Sequence, residues 1–166
     1  YYYKFKAGED YPRWYRKKIG SDEEELILDV VKRAQNKNYY SAAPVSVNPG
    51  NNIMAYSENT DGSDVSTFRF MDLSTKKDLA DSLTNVSYLI WRDSSSFFYS
   101  VMEKKTNRPY QIKYHRLSTD YADDELIYEE VDKRFRVGIG RSKSKEFFVI
   151  DTESANSSES YIMHKS

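Results

Sequence analysis

An internal repeat restricts this chain more than any other feature. Ser46-Val47-Asn48-Pro49-Gly50-Asn51-Asn52-Ile53-Met54-Ala55-Tyr56-Ser57 aligns without a gap with Leu89-Ile90-Trp91-Arg92-Asp93-Ser94-Ser95-Ser96-Phe97-Phe98-Tyr99-Ser100, 43 positions further on. Each copy is an apolar run, a polar turn of Pro, Gly, Asn, Asp or Ser, and a second apolar run, which is the pattern of a β-hairpin. Further along, Phe68-Arg69-Phe70-Met71-Asp72-Leu73-Ser74-Thr75 aligns with Ile112-Lys113-Tyr114-His115-Arg116-Leu117-Ser118-Thr119 at an offset of 44, so one loop residue has been added between the two halves. A third copy begins at Val137-Gly138-Ile139-Gly140, turns through Arg141–Lys145, continues as Phe147–Ile150 and has its third strand at Ser160–His164.

A period of about 40–50 residues holding four short strands is that of a propeller blade, whereas helical repeats need a sustained 3.6-residue periodicity that is missing here. The expected fold is therefore all-β, an incomplete β-propeller with two complete four-stranded blades plus two partial ones. The expected division is a partial blade over 1–29, a connector over 30–41, blades over 42–81 and 85–130, and a partial blade over 134–166. In the first part, Tyr1–Phe5, Tyr11–Lys17 and Glu24–Asp29 are strand-like, and Val30–Gln35 is the one stretch suited to a helical turn. Closed propellers have about four to eight blades, so this number leaves strand edges open, and open edges favour self-association or pairing with further chain. The start at Tyr1 rather than Met adds to the expectation of a piece of a longer protein.

Composition narrows the function classes. With 25 basic and 26 acidic residues the formal charge is −1, so no overall field draws the chain to nucleic acid or an anionic membrane, and neither is an expected partner. No apolar run reaches the length of a membrane span. The absence of cysteine excludes disulfides, thiol nucleophiles and cysteine-bound zinc, and it does not separate a cytoplasm, the favoured compartment, from a periplasm.

Residues able to carry chemistry are few. A triad needs a base within reach of a nucleophile, and the histidines are His115 and His164, both in expected third strands. His115 lies between Tyr114 and Arg116 where the preceding copy has Met71, and is read as a surface or interblade residue. Asp22–Glu25 and Asp123–Glu125 lack the spacing and glycine of an EF-hand loop and are read as solvated turns before strands. Arg13, Arg16, Lys17 and Lys18 beside Trp14 and Tyr15 have a composition able to stack bases or bind phosphate, but strand alternation with nearby acids accounts for them. Gly138 and Gly140 lack the third glycine and helix of a phosphate loop and are read as close backbone packing in an inner strand. Tyr39, Tyr40, Tyr88, Tyr99, Tyr110 and Tyr128 are read as packing residues rather than a ligand groove. The sequons at Asn85 and Asn156 are short enough to arise by chance. No catalytic, cofactor-binding or metal residue is expected, and no cofactor.

Tyr1-Tyr2-Tyr3-Lys4-Phe5, Tyr11-Pro12, Glu23–Val30, Asn38–Ser41, Glu58–Gly62, Arg69–Thr75, Arg108-Pro109-Tyr110, His115–Asp120, Asp123–Glu130 and Val137–Ser142 together resemble the early propeller of the prolyl oligopeptidase family, in its oligopeptidase B branch. The resemblance spans nearly the whole chain through the order and spacing of these segments. It implies a seven-bladed propeller that caps an α/β-hydrolase domain, in which a Ser-His-Asp triad cleaves short peptides after Lys or Arg while the propeller restricts the size of substrates. The expected partners are that hydrolase domain and the peptide substrates. No Gly-x-Ser-x-Gly elbow occurs here, so the chain alone is expected to be inactive. A free-standing propeller-type interaction module is the competing reading.

Overall fold

The computed structural model describes residues 2–63 and 65–165. Tyr1 of the first expected strand, Asp64 of the first whole blade and Ser166 of the last lie outside the described residues. The strands are β1 (Tyr2–Lys4), β2 (Arg13–Lys17), β3 (Glu24–Asp29), β4 (Ser41–Val47), β5 (Ile53–Asn59), β6 (Thr67–Asp72), β7 (Lys77–Leu83), β8 (Val86–Trp91), β9 (Ser96–Met102), β10 (Pro109–Arg116), β11 (Glu125–Glu129), β12 (Arg136–Arg141), β13 (Phe147–Glu153) and β14 (Ser158–His164), with one α-helix, α1 (Val30–Ala34). They form four sheets, β1-β2-β3, β4-β5-β6-β7, β8-β9-β10-β11 and β12-β13-β14. Two sheets are four-stranded and two three-stranded, and the fold class is the one the repeat implies. Among the described residues no helix is long and apolar enough to cross a membrane.

The chain divides into two compact units, one holding residues up to Val47 with Asn51–Ser82, the other Asn48–Gly50 with Leu83 onward. In the first, α1 begins at Asp29, whose carboxylate accepts from Lys32 N at 2.9 Å as an N-cap. Asn36 ends it with φ 61°, a left-handed conformation that asparagine tolerates. The helix carries Val30 and Ala34 into a core made with Ile27, Leu28, Met54, Tyr56 and Met71. Pro44 sits in end strand β4 at a register shift against β5, a place where the missing N–H costs no ladder bond.

In the second unit, Phe98 and Ile112 pack with Val137, Ile139, Phe148 and Ile150 to join the β8–β11 and β12–β14 sheets. Phe98 and Phe148 meet edge to face at 4.9 Å, a favoured aromatic arrangement. The expected close packing at Gly138 and Gly140 is not found: a Cβ at either would meet nothing within 4 Å. Their smallness leaves open space beside β12 instead of relieving a crowded contact. Tyr40 and Tyr99 are buried as expected of packing residues, whereas Tyr39 and Tyr88 are exposed. Strand alternation turns Tyr88 outward.

Candidate functional site

Each four-stranded sheet holds a polar cluster built on a tyrosine of its second strand, Tyr56 of β5 or Tyr99 of β9. In the first unit, Tyr56 on β5 donates its hydroxyl to Oδ1 of Asp78 on β7 at 3.0 Å. Arg33 of α1 reaches the same carboxylate through both terminal nitrogens, at 2.9 and 2.8 Å, in the bidentate geometry that makes such pairs strong. Arg33 also donates to the Tyr56 hydroxyl at 2.8 Å. Desolvation alone would lower the Arg33 pKa, but Asp78 and the Tyr56 phenol outweigh it and raise it. Burial, reinforced by Asp78, pushes the Tyr56 phenol well above its ordinary value despite the opposing guanidinium. A neighbouring cluster centres on buried Glu58, which accepts from Tyr40 at 2.8 Å and from Arg69, with Lys37 3.8 Å away. Together they fasten α1 and the turn after it to the sheet.

In the second unit, Tyr99 on β9 donates to Oδ2 of Asp124 at 2.7 Å, and His115 Nδ1 on β10 lies 2.7 Å from Oδ1 of the same residue. A carboxylate accepts, so Nδ1 carries the proton. The side chains of His115 and Asp124 are 0% and 2% exposed. The imidazole stacks on Tyr121 at 4.3 Å and packs against Phe97 at 5.1 Å. Burial first, then the bond to Asp124, raises the Tyr99 pKa.

Of the two readings of His115, surface or interblade, burial overturns the surface one. The 3-10 turn Tyr121–Asp123, capped by Asp120 accepting from Ala122 N at 2.9 Å, folds over the end of β10 and covers the ring. Asp124 is likewise no solvated turn residue. His115 and Asp124 have the geometry of the base-and-orienter half of a triad, but an enclosed imidazole cannot meet a substrate, so the pair is structural. His164 is exposed, with its ring edge-on to Phe147 at 5.2 Å.

The three basic residues of the patch that lie on β2 are neutralised by nearby acids, while Lys18, just past the strand, meets no carboxylate within ion-pair distance among the described residues. Arg13 pairs with Glu9 and Asp29, Arg16 with Glu25, and Lys17 with Asp22 at 3.0 Å. Glu24 and Glu25 of the first acidic cluster are thereby partners of cations, Glu24 taking Lys4 and Glu25 taking Arg16 and Lys76. Among the described residues no group of three His, Asp or Glu is placed to hold a metal ion.

The sequence matches, over residues 1–166, the family described as prolyl oligopeptidase, N-terminal beta-propeller domain. The chain belongs to this family. Among curated relatives of the propeller, dipeptidyl aminopeptidase BI of Pseudoxanthomonas mexicana is 34% identical over 96% of this chain and 24% of its own length. Protease 2 of Moraxella lacunata is 32% identical over 98% of this chain and 25% of its own. The oligopeptidase B structure from Leishmania major superposes with a TM-score of 0.82 at 23% identity, covering 95% of this chain and 23% of that one. Oligopeptidase B from Trypanosoma brucei, in a closed form with covalently bound antipain, gives 0.79 at 23% identity over the same share of each chain. The branch is the one the sequence segments resemble. This propeller chain spans about a quarter of the length of the curated relatives it matches.

Two features of the propeller escaped the sequence. Asp124 gave no signal beyond one acid in a run of three, although its partner Tyr99 stands at the repeat position of Tyr56. A group of three arginines at one end of the second unit, none within ion-pair distance of a carboxylate among the described residues, had no motif at all.

Proposed function

We propose that this chain is the propeller portion of a serine-type oligopeptidase, acting as a substrate-size filter and as the interface to an α/β-hydrolase domain. In this reading the sheets are successive blades over 42–81 and 85–130, flanked by partial blades over 1–29 and 134–166. The observation that carries the proposal is the family match along the whole chain, shared with peptidases about four times as long. The polar clusters support it, because a filter must keep its blades intact: one ties β7 to β5 through Asp78 and Tyr56, the other ties the turn before β11 to β9 through Asp124 and Tyr99.

The chemistry belongs to residues outside this chain. A Ser-His-Asp triad in the hydrolase domain cleaves short peptides after Lys or Arg, and the propeller supplies no catalytic group.

The test is hydrolysis by the full-length protein. It is expected to cleave a short peptide after Arg or Lys, and a serine-directed fluorophosphonate is expected to abolish that activity. Absence of cleavage, or cleavage indifferent to the fluorophosphonate, contradicts the proposal and favours an interaction module.

A further inference from the structure

Of the ten arginines, five are paired with a carboxylate among the described residues, and Arg108 is bonded to backbone carbonyls instead. Arg13, Arg16, Arg33, Arg69 and Arg134 each meet a carboxylate. Arg92, Arg116 and Arg141 meet none within ion-pair distance among the described residues, and all three gather at one end of the second unit. Arg92 lies over the ring of Tyr114 at 5.5 Å. Arg141 lies over Phe148 at 5.1 Å, held by a bond from its Nε to Lys145 O at 3.2 Å. Arg116 follows Tyr114 by two positions on β10, so the two side chains share a face.

Of these three, Arg92 lines a cleft of about 190 Å³ between the β8–β11 and β12–β14 sheets, with His164 at its edge, while Arg116 and Arg141 lie outside the lining, beside Tyr114 and Phe148. Phe98, Tyr114, Ile127, Phe148 and Met163 form its apolar wall, and Arg92 forms its polar end. Glu125, exposed on β11 opposite Tyr114, is the one carboxylate residue lining it. The Tyr114 hydroxyl is shut off from solvent, so its ring, and not its oxygen, borders the cleft. Desolvation would raise the Tyr114 pKa, yet Ser96 and the guanidinium groups of Arg92 and Arg116, close to the oxygen but outside hydrogen-bond geometry, bring it below the ordinary phenol value. The local field thus favours negative charge.

We propose that this cleft binds the C-terminal carboxylate of a short peptide ending in an aliphatic residue. Arg92 takes the carboxylate as a fork, and Phe98, Phe148 and Met163 cover the last side chain. Arg116 and Arg141 supply the surrounding positive charge. The cleft has room for one residue and its terminus, and the Arg92 guanidinium, which meets no carboxylate within ion-pair distance among the described residues, gives the complementarity, with Glu125 on the rim and Glu146 near Arg141 as the neighbouring acids. That the ligand is a peptide rests on the peptidase reading above; the carboxylate chemistry does not.

The probe is N-acetylvaline, titrated calorimetrically into the full-length protein beside N-acetylvalinamide and acetate. The acid is expected to bind, with the amide and Arg92→Gln each roughly tenfold weaker, as loss of a charge-assisted bond implies. Acetate is expected to be weaker than N-acetylvaline because it leaves the apolar wall bare. Arg92→Lys restores charge without the fork and recovers affinity only in part, and Arg141→Gln gives a smaller loss; these two variants decide the matter if Arg92→Gln fails to fold. Equal binding of acid and amide, no binding at all, or wild-type affinity in the folded Arg92 and Arg141 variants overturns the site. Hydrolysis of Arg-containing peptides is followed in the same preparations. Binding without hydrolysis removes the peptidase reading alone, and hydrolysis without binding removes the cleft alone.

Discussion

Tyr56 and Tyr99 stand at equivalent positions of the repeat and give their protons to acids at the fourth strand of their sheets, Asp78 within β7 and Asp124 just before β11, but the acids are held in different ways. Asp78 is met by Arg33, which comes from α1 outside the sheet, and the pair is 22% and 35% exposed. Asp124 is met by His115 from within the sheet, and that pair is closed to solvent. Where the first sheet has Met71 in its core, the second has His115 at the same repeat position. The repeat thus preserves a tyrosine-to-aspartate tie and leaves the third partner to local supply. The open cluster uses a permanently charged guanidinium that water screens, while the closed one depends on every donor being present.

Four variants can break or sharpen this contrast. Asp124→Ala should have the largest effect, a loss of about 3–5 kcal/mol, because it leaves buried Tyr99 and His115 without this acceptor. Amide exchange along β11 measures it, and a loss no greater than that of Asp78→Ala along β7 would erase the contrast. Tyr99→Phe should cost about 1–2 kcal/mol, and Tyr56→Phe less, since Asp78 keeps both Arg33 bonds. Arg33→Gln should cost under about 1 kcal/mol at physiological salt, with the difference shrinking as salt is raised.

The smallest effect lies in a turn. Asp72 accepts from Ser74 N, Ser74 Oγ and Thr75 N at 2.8, 2.6 and 2.9 Å, and these bonds bring its pKa down to about 2. A carboxyl depressed on folding stabilises the fold above its unfolded pKa, and that contribution fades as pH falls through the folded value. The melting difference between wild type and Asp72→Ala should therefore be full above about pH 5 and lose its charge-dependent part progressively down to about pH 1. A pH-independent difference would mean that the charge of Asp72 plays no part.

Much of the architecture was legible because hairpin chemistry is local. Asn48-Pro49-Gly50-Asn51-Asn52 between two apolar runs makes the turn before β5, and Asn36 stops α1 where the sequence suggests. What was not legible depends on register or on loops folding back. The pairing of Arg16 with Glu25 needs the β2–β3 register, since the two lie nine positions apart in the chain. His115 looked like a surface residue in a strand bounded by Tyr and Arg, and only the folding of 121–124 over β10 encloses it. Gly138 and Gly140 misled for a related reason, because a small residue in a strand records equally a crowded contact and an open space. The arginines beside Tyr114 come from three strand ends and converge only in three dimensions.

Size selection by the full-length protein tests the account most directly. The same Lys- or Arg-containing segment is offered once as a free peptide and once within a stably folded protein where it is exposed on a loop, and kcat/KM is measured for each. A filter predicts efficient cleavage of the free peptide and almost none of the folded substrate. Comparable cleavage of both would contradict the role assigned to these sheets.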